Sequence, residues 1–198
     1  MLAETFLKLV ERATTDLDIE RLRIDVRALA AKYPDATTRE KGERLVKRAA
    51  RRAAVVGGLA GLPPGWAVLA TAPPELAALL ILQSRLIVTL NLLYGAPMEP
   101  KERAFEVLAG LASGAGINVG RRLTSRAAEE IATRLLARFA SREASHLVPV
   151  LGAVAGAALN YGAVRAAGKA ALRRVERLYG PPELPGKGPI LDAAGRVS

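Results

Sequence analysis

Hydrophobic positions recur every three or four residues over most of this chain, the spacing of helices with one apolar stripe. Leu2, Phe6, Leu9 and Val10 predict a short amphipathic helix over Leu2 to Ala13. Asp16 or Asp18 is placed to cap a second, whose Leu17, Leu22, Val26 and Leu29 face one way before Tyr33-Pro34 stops it. Thr37 or Thr38, followed by Glu40 and Lys41, opens a third helix that is strongly basic up to Arg52 and then turns small and apolar. Such a helix starts in water and ends in a core. From Ala53 to Pro74 there is no charge at all, and from there to Gly95 only Glu75 and Arg85 carry one.

Pro63-Pro64-Gly65 and Pro73-Pro74 cut this apolar region into pieces, because proline has no N–H to donate and its ring clashes with the preceding turn. Each uncharged piece is shorter than the roughly 20 residues of a membrane span. The piece from Pro74 to Tyr94 reads as one helix, with proline in its first turn, Glu75 beside it and Gly95 as its stop. Glu75, Gln83, Arg85 and Asn91 scatter around its circumference, so no wet face is expected, and a helix apolar all round packs centrally. Glu75 and Arg85 stand roughly 15 Å apart along the axis, too far to pair, and each needs a partner on another segment.

Farther on, Pro100 starts a helix containing Gly110 and Gly114, and Thr124-Ser125 caps an amphipathic one with Ile131, Leu135, Leu136 and Phe139 inward. On its other side Arg126, Glu130, Arg134 and Arg138 form an i,i+4 ladder. A second uncharged run, from Ala144 to Val164, leads into a helix with Gly152, Gly156 and Asn160 on one stripe, where small residues let backbones touch. It continues as a basic helix to Gly180, and the Pro/Gly-rich residues 181–198 form a tail. Gly57, Gly61 and Gly65 repeat the four-residue spacing. A backbone that another segment approaches closely is the favoured reading; a phosphate loop is the weaker one, because no Lys-Ser or Lys-Thr follows and no βα pattern surrounds them. The pattern predicts an all-α single domain of six to eight helices over residues 1–180, with Pro74 to Tyr94 and Val148 to Tyr179 as two central apolar helices.

Three stretches together resemble the EcsC protein family: the basic helix running into GGLAGLPPG, the proline-broken PPELAALLILQSRLIVTLNLLYG, and VPVLGAVAGAALNYGAVRAAGKAAL. The similarity spans roughly residues 39–180. It implies a bacterial helical bundle, similar to a protein encoded next to ATP-binding-cassette transporter components, and with that a membrane-associated accessory. It supplies no catalytic residues and no cofactor.

Composition narrows the chemistry. The 198 residues are 51% apolar, ample for a core, and contain no cysteine and one histidine. Disulfides, thiolate zinc sites, cysteine nucleophiles and multi-histidine metal centres are excluded. No secretory signal opens the chain, so the cytoplasm is the default location, extending to the inner face of the cell membrane. The net charge is +10, with thirteen basic against nine acidic residues before Ala53. Such an excess suits an anionic membrane surface, an acidic partner such as a membrane transporter subunit, or nucleic acid. Nucleic acid ranks last, because no binding module or set of stacking aromatics accompanies the charge. A homo-oligomer is compatible with the pattern.

His146 has no Gly-x-Ser-x-Gly elbow near it and reads as a helix-end residue. Glu75 is the one acid embedded in an apolar run, which suits a structural ion pair more than acid–base work. The function these features favour is a non-enzymatic accessory or interaction protein peripheral to a membrane or its transporter. The alternative is a small enzyme or binding protein that holds a hydrophobic or anionic small molecule between the two apolar segments, with Glu75, Arg85, His146 and Asn160 as candidate ligand-binding residues.

Overall fold

The computed structural model describes residues 2–56, 74–96, 99–117, 119, 124–143 and 149–180. Among them are seven helices and no strand: α1 (Leu2–Thr15), α2 (Ile19–Lys32), α3 (Thr38–Val56), α4 (Pro74–Leu93), α5 (Pro100–Gly114), α6 (Ser125–Glu143) and α7 (Pro149–Tyr179). The chain is an all-α helical bundle.

The helix ends follow local chemistry. Asp18 Oδ1 accepts from the Arg21 N–H at 2.9 Å and caps α2. At the start of α3, Thr37 Oγ1 accepts from the Glu40 N–H at 3.1 Å while Glu40 Oε2 accepts from the Thr37 N–H at 2.8 Å, a reciprocal capping box. The Thr37 N–H, and after it the Thr37 hydroxyl donating to the same Oε2 at 3.1 Å, hold the Glu40 carboxyl below its ordinary pKa. Pro100 occupies the first turn of α5, where its missing N–H costs nothing. Thr124 Oγ1 accepts from the Ala127 N–H at 3.3 Å to open α6. Helices α4 and α5 both end in left-handed glycines, Gly95 at φ 67° and Gly116 at φ 73°. In each case the next residue, itself buried, donates five positions back, Ala96 to Asn91 at 3.0 Å and Ile117 to Ala112 at 2.8 Å.

Helix α4 packs against α1, α2, α3, α5 and α7. All eight residues from Leu86 to Leu93 are buried. One expectation needs correction here: α4 does have a wet spot, because Arg85 is exposed toward α2. Helix α7 packs on α3, α4 and α5, and beyond Val164 it carries an exposed side at Arg165, Lys169 and Arg173. Its register can be read from paired residues. Against α3 it runs antiparallel: Arg39 lies at Glu176, Gly42 at Leu172 and Val46 at Gly168. Against α4 it runs parallel, with Leu86 at Gly168 and the Tyr94 hydroxyl donating to Glu176 at 3.0 Å. Against α5 it is antiparallel again, with Gly114 at Ala167 and Glu106 at Arg174.

The four-residue spacing of Gly110 and Gly114 therefore marks close approach, of α4 in the first case and of α7 in the second. Helix α6 turns Ile131 and Leu135 inward, with Leu136 half-buried. Of its expected ladder the Glu130–Arg134 pair forms. Gly57, Gly61 and Gly65, the Phe139 and Arg138 side chains, and the tail 181–198 lie outside the described residues.

Near the end of α7, Arg174 meets Glu106 through two nitrogens, Nε to Oε2 at 3.1 Å and Nη2 to Oε1 at 3.3 Å. Both side chains are largely buried. One turn on, burial raises the Tyr179 phenol above its ordinary value of 10, with the Glu106 and Glu102 carboxylates acting in the same direction and Arg174 opposing. A phenol whose folded pKa is raised contributes stability fully below pH 10 and loses it as pH climbs past that value. The Tyr179→Phe protein should accordingly gain on wild type in thermal midpoint as pH rises from 9 to 11. An unchanging difference would place the phenol in ordinary solvent.

Candidate functional site

Three helices each turn one i,i+3/i+4 face toward a common opening. Helix α2 presents Arg21, Asp25, Leu29 and Lys32; α3 presents Leu45, Arg48, Ala49 and Arg52; α4 presents Leu82, Arg85, Leu86 and Thr89. Together they enclose an open cleft of about 420 Å³. The apolar members are anchored in the core, with Leu86 and Ala49 buried and Leu45 and Leu82 packed half-buried beside them. They form a floor, and the charged members form the walls because long cationic side chains lay their stems on apolar surface and keep their heads in water.

Among the described residues that line this cleft, five cations face one carboxylate: Arg21, Lys32, Arg48, Arg52 and Arg85 against Asp25. Asp25 lies between two of them, with Oδ2 at 2.9 Å from Arg85 Nη2 and Oδ1 at 3.9 Å from Arg21 Nε. Both partners of the closer pair are more than two-fifths exposed. Such a pair adds only about 0–1 kcal/mol to stability. Its consequence is positional, because it holds the Arg85 guanidinium at the cleft wall and ties α2 to α4. Arg48 and Arg52 stand one turn apart on α3 and have no carboxylate within ion-pair distance among the described residues. At the corner between α2 and α3, Tyr33 lies under Arg44 at 4.2 Å and near the cleft residue Lys32 at 5.7 Å, cation–π contacts that link the two helices.

Arg85 thus finds its required partner on another segment, and it lines a cavity. Asn160 is half-buried on α7 and lines neither this cleft nor the second one described below. The Glu75 side chain and His146 lie outside the described residues. No described residue of α7 reaches the cleft that holds Arg85; its walls are α2 and α3 instead. Sequence reasoning missed Asp25, Arg48 and Arg52. The available signal was the i,i+4 step from Arg48 to Arg52 in a segment with no acid beside it.

No protein-family model, curated protein or solved structure matches this chain. The chemistry must therefore be read from the geometry. Among the described residues no group of His, Asp or Glu could hold a metal ion, and no helix is long and apolar enough to cross a membrane. A second cleft of about 460 Å³ lies between α1, α5 and α6. It is lined by Leu7, Val10, Phe105 and Leu108 together with Glu11 and Glu129, and none of the described lining residues is a cation. What the first cleft offers is fixed positive charge above an apolar floor, an arrangement suited to binding an anion with an apolar end.

Proposed function

We propose that this protein is a non-enzymatic accessory that docks on an anionic membrane surface through α3. The observation that carries this reading is the asymmetry of that helix. Arg44, Lys47, Arg48, Arg51 and Arg52 are all exposed, and the sequence has no acidic residue from Arg44 through Pro74. Beyond the cations Val55 is 82% exposed, and the chain then enters the uncharged run that contains Trp66. Cations for lipid headgroups followed by apolar residues for the layer beneath are the parts of an interfacial contact. Each basic residue near an anionic surface contributes about 1 kcal/mol. Five of them bring on the order of 5 kcal/mol, between three and four powers of ten in affinity. The resemblance to the EcsC family lends this reading support, since that family resembles a protein encoded next to transporter components.

The test is co-sedimentation with vesicles of phosphatidylcholine mixed with phosphatidylglycerol, against vesicles of phosphatidylcholine alone, at low and physiological salt. Retention on the anionic vesicles is expected, weakening with salt as the exposed charges are screened. Replacing Lys47 and Arg51 together by glutamine should weaken it by roughly thirtyfold, the equivalent of about 2 kcal/mol. Equal behaviour on both vesicle types would overturn the proposal.

A further inference from the structure

From the composition of the cleft between α2, α3 and α4 we infer that it is a headgroup site for an anionic phospholipid bearing a phosphate monoester. The inference rests on the docking reading above and names the ligand that docking would present. A monoester phosphate carries between one and two negative charges near neutrality and offers three acceptor oxygens. Arg48 and Arg52 supply guanidinium forks that meet such oxygens two at a time, and neither is engaged by a carboxylate among the described residues. Arg85 is already oriented by Asp25 at 2.9 Å, so little side-chain freedom is lost when it binds.

The floor decides between a bare phosphate and a lipid. A site for free phosphate needs only donors, whereas Leu45, Leu82 and Leu86 offer apolar surface directly beneath the charged rim. That surface suits the glycerol and the first ester carbons. A volume of about 420 Å³ holds a headgroup and glycerol and leaves the acyl chains outside, as a membrane-docked protein requires. A choline headgroup would bring its own cation among five others and should be rejected.

The cleft reading is separable from general attraction because α3 divides its exposed cations. Arg48 and Arg52 line the cleft; Lys47 and Arg51, each one residue earlier, do not. Two double variants therefore remove equal charge from one helix, Arg48→Gln/Arg52→Gln inside the cleft and Lys47→Gln/Arg51→Gln outside it. All four side chains are exposed, so both proteins should keep the helical far-ultraviolet circular dichroism of wild type.

The experiment is isothermal titration of the full chain with monomeric dihexanoyl phosphatidate, dihexanoyl phosphatidylcholine and inorganic phosphate at constant ionic strength. Saturable one-to-one binding of the phosphatidate is expected, at least about tenfold tighter than inorganic phosphate, with no binding of the phosphatidylcholine. The cleft variant should lose about tenfold or more, and the outside variant less than about twofold. Equal loss in both variants, or no saturable binding, would overturn the cleft assignment. Inorganic phosphate binding as tightly as phosphatidate would overturn the lipid as its occupant. Wild-type retention on anionic vesicles without saturable binding of the soluble lipid would sink the cleft alone; absence of both would sink the docking reading with it.

Discussion

Replacing Gly114 by alanine should lower the midpoint of thermal unfolding by roughly 6–12 °C, the equivalent of about 3 kcal/mol in a chain of this length. The added methyl would collide with the Ala167 Cα and stand 2.8 Å from both the Ala167 nitrogen and its Cβ. Two of those atoms are backbone of α7 and the third is a Cβ fixed to it, so no rotamer change relieves the contact and the two helices must separate. The other glycines grade the effect. At Gly168 the new methyl would lie 2.8 Å from Leu86 Cδ2 and 2.9 Å from both methyls of Val46, whose branched side chain has little freedom in a helix. At Gly110 it would meet Ile87 Cδ1 at 2.7 Å, the far end of a side chain that can turn aside, so the cost should be smaller. Gly162 has nothing within 4 Å, and alanine there should stabilise by about 0.5–1 kcal/mol through helix propensity alone. Differential scanning calorimetry on the four variants reads the whole series. A Gly114→Ala midpoint no lower than that of Gly110→Ala would mean that α5 and α7 are not in backbone contact.

The same glycines show what could be read before the structure. Four-residue spacing signalled a close approach at Gly110 and Gly114, but only the bundle says that Ile87 approaches one and Ala167 the other. Helix limits were legible because they are set within a few residues: Pro74 and Gly95 bracket α4, and Thr37 with Glu40 opens α3. The need of Arg85 for a partner was legible from the apolar residues around it, whereas the identity of that partner was not. Asp25 is 60 residues away, and on its own helix it is one more charge beside Arg21. The cleft was hidden for the same reason. Arg48 and Arg52 differ from the equally exposed Lys47 and Arg51 in lining the space between helices, and that depends on how α2, α3 and α4 assemble. Arg174 was equally disguised, since an arginine in a basic stretch such as ALRRVER looks solvated until α5 covers it.

Glu106→Ala tests that covering directly and should cost about 3 kcal/mol, roughly 6–12 °C in thermal midpoint. The alanine removes the carboxylate that takes two charge-assisted bonds from Arg174, whose residue is only 8% exposed, so a buried cation loses that share of its compensation. Much of the loss is the cost of a buried cation with fewer partners, not the worth of the pair. The double variant Glu106→Leu/Arg174→Met should therefore recover much of it, with a coupling of about 1–3 kcal/mol in the double-mutant cycle. Strict additivity would mean that each side chain is solvated and the fork contributes nothing. Tyr179 supplies a second readout independent of stability. Removing Glu106 takes away a negative charge that opposes ionisation of the phenol, so absorbance titration should show the Tyr179 pKa moving back toward 10. Burial remains the larger cause of its elevation and should keep it from returning fully. A lower midpoint together with a lowered phenol pKa would place both effects at one contact between α5 and α7. A lower midpoint with the phenol unmoved would instead point to a loss of helix packing away from that ion pair.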